Sequence, residues 1–187
     1  LTDSPLEAQM HALGRRAREA ARALAQTSAA QRTAALNAMA RRLRQAAPLL
    51  LAANAEDVAR AGAGDQSEAF IDRLTLTPAR LDAIAAGIEA IAAQPDPIGA
   101  VSEEWTRPNG LHIQRVRTPL GVIGMIFESR PNVAADASAL ALRSGNAIIL
   151  RGGGDSAESV AAIVAVLREA LSEAGLAQDA VQAVPTR

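Results

Sequence analysis

Cysteine is absent from the 187 residues, so no disulfide, zinc-thiolate site or cysteine nucleophile can form within them. Lysine is absent too, and all 19 basic residues are arginine. That excludes a lysine Schiff base and a phosphate-loop lysine from this chain, although an all-arginine, alanine-rich composition also fits a codon bias. Nor is there an excess of charge of one sign. Nineteen basic residues face 20 acidic ones for a formal net charge of -1, unlike the one-signed field of a nucleic-acid or membrane-surface binder. Long apolar runs are missing as well: the stretch 46–53 falls far short of the ~18 residues of a membrane span, and the first residues lack a basic-then-apolar leader pattern. The expectation is a soluble, cytoplasmic protein. What the chain does have is apolar mass, 49% of its residues, enough for a core in one domain or one and a half and too much for a disordered chain or a disulfide-held mini-protein.

Residues 1–97 read as successive helices. Ser4-Pro5-Leu6-Glu7 carries a capping serine, proline at the first helical position and glutamate three residues after the cap; Ser28 with Gln31 repeats the box. Thr77-Pro78 starts another helix, in which Leu81, Ile84, Ile88 and Ile91 recur at helical spacing. In the first helix Leu6, Met10, Leu13, Ala17 and Leu24 form an apolar stripe. Arg15, Arg16, Arg18 and Arg22 fall on the other side and read as a solvated face. Ala61-Gly62-Ala63-Gly64 and Gln94-Pro95-Asp96-Pro97 supply breaks.

Residues 98–187 differ in texture. Leu111 to Val116 largely alternates, as a half-buried strand does, after the turn signal Arg107-Pro108-Asn109-Gly110. Gly121 to Phe127 is continuously apolar, which predicts a strand buried on both faces, as in a parallel sheet. A helix over 133–143, a strand over 147–150, a glycine turn, a helix over 156–174 and a strand over 181–184 follow. That order is a three-layer α/β nucleotide-binding half-domain, and its three strands predict a sheet that continues beyond the chain.

Two loops follow the buried strands at their carboxyl ends, where open α/β sheets bind ligands. Arg151-Gly152-Gly153-Gly154 precedes a helix: glycines let the backbone approach an anion, the helix N-terminus adds partial positive charge and Arg151 a full one. The same glycines could simply make a tight turn. They match neither G-x-G-x-x-G nor a phosphate loop. Glu128-Ser129-Arg130-Pro131-Asn132 is a dense polar set, in which Arg130 could hold a carboxylate or phosphate and Asn132 could donate to an oxyanion. Alternatively Ser129 or Asn132 caps the next helix and Arg130 is a surface residue. His11 and His112 read as surface or packing residues.

The stretch Arg117 to Val133, with Gly-Val-Ile-Gly-Met-Ile-Phe-Glu-Ser-Arg-Pro-Asn at its centre, and Ser144 to Gly153 closely resemble the γ-glutamyl phosphate reductase family of the aldehyde dehydrogenase superfamily. The helical region and Phe70-Ile71-Asp72-Arg73-Leu74 also fit. The resemblance implies an aldehyde-dehydrogenase-like, Rossmann-type α/β domain, incomplete here and preceded by the helical region. It implies NADPH-dependent reduction of L-glutamyl 5-phosphate to glutamate 5-semialdehyde with phosphate release, in proline biosynthesis. In that family a cysteine thiolate forms a thioester that hydride reduces, so the resemblance puts the cysteine domain after residue 187 and makes the present chain inactive alone. It implies a homo-oligomer with a small-molecule substrate and no nucleic-acid or membrane partner. By position, Arg151, Gly152 and Gly153 would meet the adenosine ribose of NADP, and Ile126, Phe127 and Glu128 would run beside the cofactor. Arg130 or Asn132 would face the reacting carbonyl, whereas Gly154-Asp155-Ser156 departs from the family pattern. From another class, a non-catalytic interaction module whose alanine-rich helices bind a partner also fits the composition.

Overall fold

The computed structural model describes residues 4–185. Five helices come first: α1 (Pro5–Leu24), α2 (Ala29–Gln45), α3 (Ala47–Gly62), α4 (Glu68–Leu74) and α5 (Pro78–Ala92). Their starts are local chemistry. The side chains of Ser4, Ser28, Ser67 and Thr77 each accept from a backbone N–H three residues on, and Gln31 closes the capping box at Ser28. On α1, Leu13, Ala17 and Leu24 are buried while Leu6 is exposed, so the predicted stripe engages only after the first turns.

The next strands are β1 (Val101–Thr106) and β2 (His112–Val116), which pair antiparallel with Trp105 opposite Ile113. β1 was not anticipated: Val-Ser-Glu-Glu-Trp-Thr carries no apolar alternation of its own. The expectation of a half-buried strand at 111–116 also needs correction, because every residue of β1 and β2 except Ile113 is exposed. A two-stranded ribbon has one partner strand per chain segment and no layer beneath it among the described residues, so alternation in sequence did not become burial.

β3 (Val122–Ile126), β4 (Ala147–Arg151) and β5 (Val181–Ala183) form a parallel sheet in that order, with α6 (Asn132–Arg143) and α7 (Ala157–Glu173) as the connections. Helix α1 packs on one side of the sheet, α6 and α7 on the other, and α2, α3 and α5 back them. The fold is the expected three-layer α/β arrangement with a helical region ahead of it. Central β4 is buried, with Ala147, Ile148 and Leu150 at 2% exposure or less. Edge strand β3 is not: Val122, Met125 and Ile126 are exposed, contrary to the two-sided burial that its apolar run predicts. One edge of β3 and much of its surface lack a covering layer among the described residues, and apolarity without a neighbour does not bury.

The core is built largely of alanine, leucine, isoleucine and valine contributed by both halves of the chain, so residues 4–97 are not a separate body. A buried polar bolt ties the two halves together: Arg143 of α6 donates to Thr33 Oγ1 and the Gln94 carbonyl. Within the helical region, Arg32, 2% exposed, meets Asp96 at 2.6 Å and the Thr27 carbonyl at 2.5 Å. Gly145, at φ +73, closes α6; a Cβ there would lie 2.6 Å from Ile98 Cδ1 and 2.9 Å from Pro119 Cγ. Only glycine satisfies both the backbone and the space. No helix among the described residues is long and apolar enough to cross a membrane.

Candidate functional site

The two polar loops meet at the carboxyl ends of β3 and β4. Phe127 N–H donates to the Arg151 carbonyl at 3.0 Å, extending the strand pairing by one bond. A Cβ on Gly152 would lie 3.3 Å from the Phe127 ring and 3.2 Å from Val160, so glycine lets β3, β4 and α7 converge. A Cβ on Gly153 would stand 3.7 Å from Glu128 Cα and Ser129 N. The loops therefore touch backbone to backbone, with a cleft on either side.

The first cleft, about 510 Å³, lies over the ends of β4 and β5. Leu150, Gly152, Gly153, Val160 and Val164 give it an apolar and glycine wall, and Arg16, Glu158 and Gln182 add polar groups. Gln182 is buried on β5, receives a hydrogen bond from Arg16 at 3.2 Å, and donates to the Leu13 and Asp179 carbonyls. Arg16 is therefore not merely part of a solvated face. Its partner lies 166 positions away, which no local pattern signals. A concave apolar wall with a few polar groups at its rim is the kind of cleft that takes a small organic molecule. Arg151 does not line this cleft, and its guanidinium folds back on the Gly152 carbonyl.

The helix after the glycines is not the open anion site that its position suggests. Asp57 of α3, fully buried, accepts from Ser159 N and Ser159 Oγ at 2.7 Å each, from Glu158 N at 3.3 Å and from Arg60 at 3.0 Å. Two first-turn amides of α7 are thus taken by a carboxylate from within the protein, and the macrodipole is already compensated. Asn54, one turn earlier on α3, donates to Ser159 Oγ and to the Leu74 carbonyl and accepts from Leu76 N at 2.7 Å. This network fastens the glycine turn to the α4–α5 connection, and nothing in the local sequence around Asp57 announces it.

The second cleft, about 430 Å³, lies between α4, α5 and the start of α6. Asp72, Arg73, Arg80, Arg130, Asn132 and Asp136 line it. Neither capping alternative holds: α6 begins after Pro131 with no side-chain cap, Ser129 is buried, and the Asn132 amide donates to Asp136 Oδ2 at 3.0 Å. Burial raises the Asp136 carboxyl above the usual carboxylate range, and the Asn132 hydrogen bond opposes this. Of the predicted residues, Gly152 and Gly153 line the first cleft and Arg130 and Asn132 the second. Phe127 and the Glu128 backbone stand at the junction, and Ile126 is 83% exposed at the end of β3. His11 is exposed on α1, while His112 sits beside Glu104 on the hairpin, away from both clefts. No cluster of metal-ligating side chains occurs among the described residues.

A parallel sheet with helices on both sides, and two clefts beside the loops at its strand ends, defines an α/β domain, and the sequence of that domain matches the aldehyde dehydrogenase family over residues 5–187. The chain belongs to the aldehyde dehydrogenase family. Within it, the chain is 57% identical over 181 residues to the gamma-glutamyl phosphate reductase of Caulobacter sp. strain K31, covering 97% of this chain and 43% of that protein. To the gamma-glutamyl phosphate reductase of Afipia carboxidovorans it is 56% identical over 185 residues, covering 99% and 43%. The crystal structure of gamma-glutamyl phosphate reductase from Thermotoga maritima superposes with a TM-score of 0.90 at 38% identity, over 93% of this chain and 42% of that one. A probable aldehyde dehydrogenase from Listeria monocytogenes shares the fold, at TM-score 0.72 and 18% identity, over 95% of this chain and 36% of that one. The chain thus spans less than half the length of these relatives.

Proposed function

We propose that the complete protein reduces L-glutamyl 5-phosphate to L-glutamate 5-semialdehyde with NADPH, releasing phosphate, as a step of proline biosynthesis. The observation that carries this reading is the contact of the two loops at the ends of β3 and β4, with an apolar glycine-walled cleft on one side and an arginine-rich cleft on the other. The high identity to gamma-glutamyl phosphate reductases supports the choice of reaction.

The first cleft fits the adenosine of a nicotinamide cofactor, since its glycines admit a ribose close to the backbone and its apolar wall suits a flat base. Gly152 and Gly153 would flank the ribose, with Arg151 or Arg16 supplying the positive charge that a 2'-phosphate needs; Ile126, Phe127 and Glu128 would border the cofactor along the strand end. When bound, the nicotinamide supplies hydride. The capped start of α7 contributes little to the diphosphate, because Asp57 holds its amides. In the second cleft, Arg130 would bind an anionic group of the substrate by a charge-assisted pair of hydrogen bonds. Asn132 has one amide proton committed to Asp136 and a second free to donate to the oxygen of the reacting carbonyl as charge develops. The thiolate that this chemistry requires lies outside these 187 residues, which hold no cysteine.

The nearly cancelling charge argues against a nucleic-acid or membrane-surface partner, and the biosynthetic reaction points to the cytoplasm. The exposed apolar residues Val101, Trp105 and Val116 of the hairpin support a homo-oligomer. The reverse assay tests the central reading. Glutamate 5-semialdehyde should drive phosphate-dependent reduction of NADP+ in the complete protein, and its failure there in well-folded material would sink the assignment.

A further inference from the structure

The second cleft contains more chemistry than the reaction at one carbonyl uses. Three of its residues, Asp72, Arg73 and Arg80, come from α4 and α5, far in sequence from Arg130, Asn132 and Asp136. Arg80 is fully engaged: it holds the Asp72 carboxylate at 2.7 Å and the Asp72 and Thr75 carbonyls at 2.5 and 2.8 Å. It builds the wall and is neutralised by Asp72. The guanidiniums of Arg73 and Arg130 differ, since neither has a hydrogen-bond or ion-pair partner among the described residues. Asp136 lines the same cleft, half-buried, with Oδ2 on Asn132 and Oδ1 carrying no hydrogen bond.

Two exposed, unpaired guanidiniums and one half-buried carboxylate on the walls of one cleft are complementary to a group that carries both charges. We propose that this cleft is the subsite for the head of an α-amino acid, in which Arg73 and Arg130 bind the α-carboxylate and Asp136 the α-ammonium. The inference rests on the reductase reading for the identity of the substrate, and it adds what that reading lacks, a means of telling glutamyl phosphate from other acyl phosphates. A planar guanidinium pairs bidentately with a carboxylate, whereas a carboxylate oxygen in a partly desolvated position gains most from a compact cation. Neither guanidinium pairs with Asp136 itself: burial raises its carboxyl and the Asn132 hydrogen bond opposes this.

Unreactive fragments test this on the complete protein by calorimetry, apart from any turnover. L-Glutamate carries both head charges, 4-aminobutanoate lacks the α-carboxylate and glutarate lacks the α-ammonium. The wild-type protein should bind L-glutamate about tenfold or more tightly than either fragment. Arg73→Ala and Arg130→Ala should reduce L-glutamate binding to the level of 4-aminobutanoate and leave 4-aminobutanoate itself unchanged. Asp136→Asn, which keeps an acceptor for Asn132, should reduce it to the level of glutarate. Equal binding of the three compounds by the wild type, or no change in Arg73→Ala, overturns the subsite. So does a rise in the KM for phosphate in Arg73→Ala with L-glutamate binding intact, which would give the arginines to the phosphoryl group. Should L-glutamate bind as described while the NADP+ assay fails, the reductase reading falls and the subsite stands; the converse result removes the subsite alone.

Discussion

The two clefts on either side of the loop junction are built on opposite principles. The glycine-walled cleft is made by backbone and small apolar side chains at the ends of adjacent strands, with its charges at the rim. The arginine-rich cleft is made by polar and charged side chains from α4, α5, α6 and the loop that carries Arg130, on a wall where Arg80 and Asp72 are already paired. A floor of backbone is preformed and indifferent to the details of its neighbours, as suits a cofactor common to many enzymes. A floor of side chains can be re-specified one residue at a time, as suits a substrate. What joins them is the Asp57–Asn54–Ser159 network, which runs from the start of α7 to the Leu74–Leu76 backbone beside Arg73.

Cutting that network should have the largest effect, because it fixes both clefts. Asp57→Ala leaves two α7 amides and the Ser159 hydroxyl without their buried acceptor, at a cost of about 3 kcal/mol of folding stability. Chemical denaturation measures it, and a loss below about 1 kcal/mol would mean that the clefts are anchored independently. Within the arginine-rich cleft, Asn132→Ala should lower kcat roughly 100-fold while the KM for NADPH holds, because an oxyanion donor acts mainly in the transition state. A collapse of kcat in Arg130→Ala instead, with Asn132→Ala mild, would transfer that role to Arg130. The smallest of these effects belongs to the glycine-walled cleft. Arg151→Ala should raise the KM for NADPH about tenfold with kcat little changed, as loss of one charge-assisted contact in ground and transition states alike. If Arg16→Ala produces that rise and Arg151→Ala does not, the charge that reads the cofactor comes from α1 and from inside the cleft.

The helix starts were legible because a cap is a four-residue event: Ser4, Ser28 and Thr77 could be read without knowing anything farther along the chain. The parallel strand order was legible for a similar reason, since apolar runs and glycine turns alternate with helical segments of the right length. Burial of β3 was not, because an apolar run reports that a residue can be buried and not that a layer exists to bury it. Hairpin strand β1 escaped since its pairing comes from β2 and not from its own pattern. In the candidate site, Gly152, Gly153, Arg130 and Asn132 stood out by following apolar strands. Arg16, Arg73 and Asp136 did not, because each becomes part of a cleft only through contacts between elements remote in sequence. Asp57 was hidden most deeply, as an ordinary helical acid whose partners lie about a hundred positions away.

Gly145 sits where α6 hands over to β4, pressed between Ile98 and Pro119 at the root of the hairpin. Every amino acid that one base change can put in place of glycine carries a β-carbon, and here that atom has neither a permitted backbone nor a vacant volume. The arginine-rich cleft can be rewritten by drift and selection, since its walls are side chains. The turn that sets where the hairpin leaves the body has no neutral amino-acid replacement within one base change, and a lineage that keeps this fold has to keep that glycine.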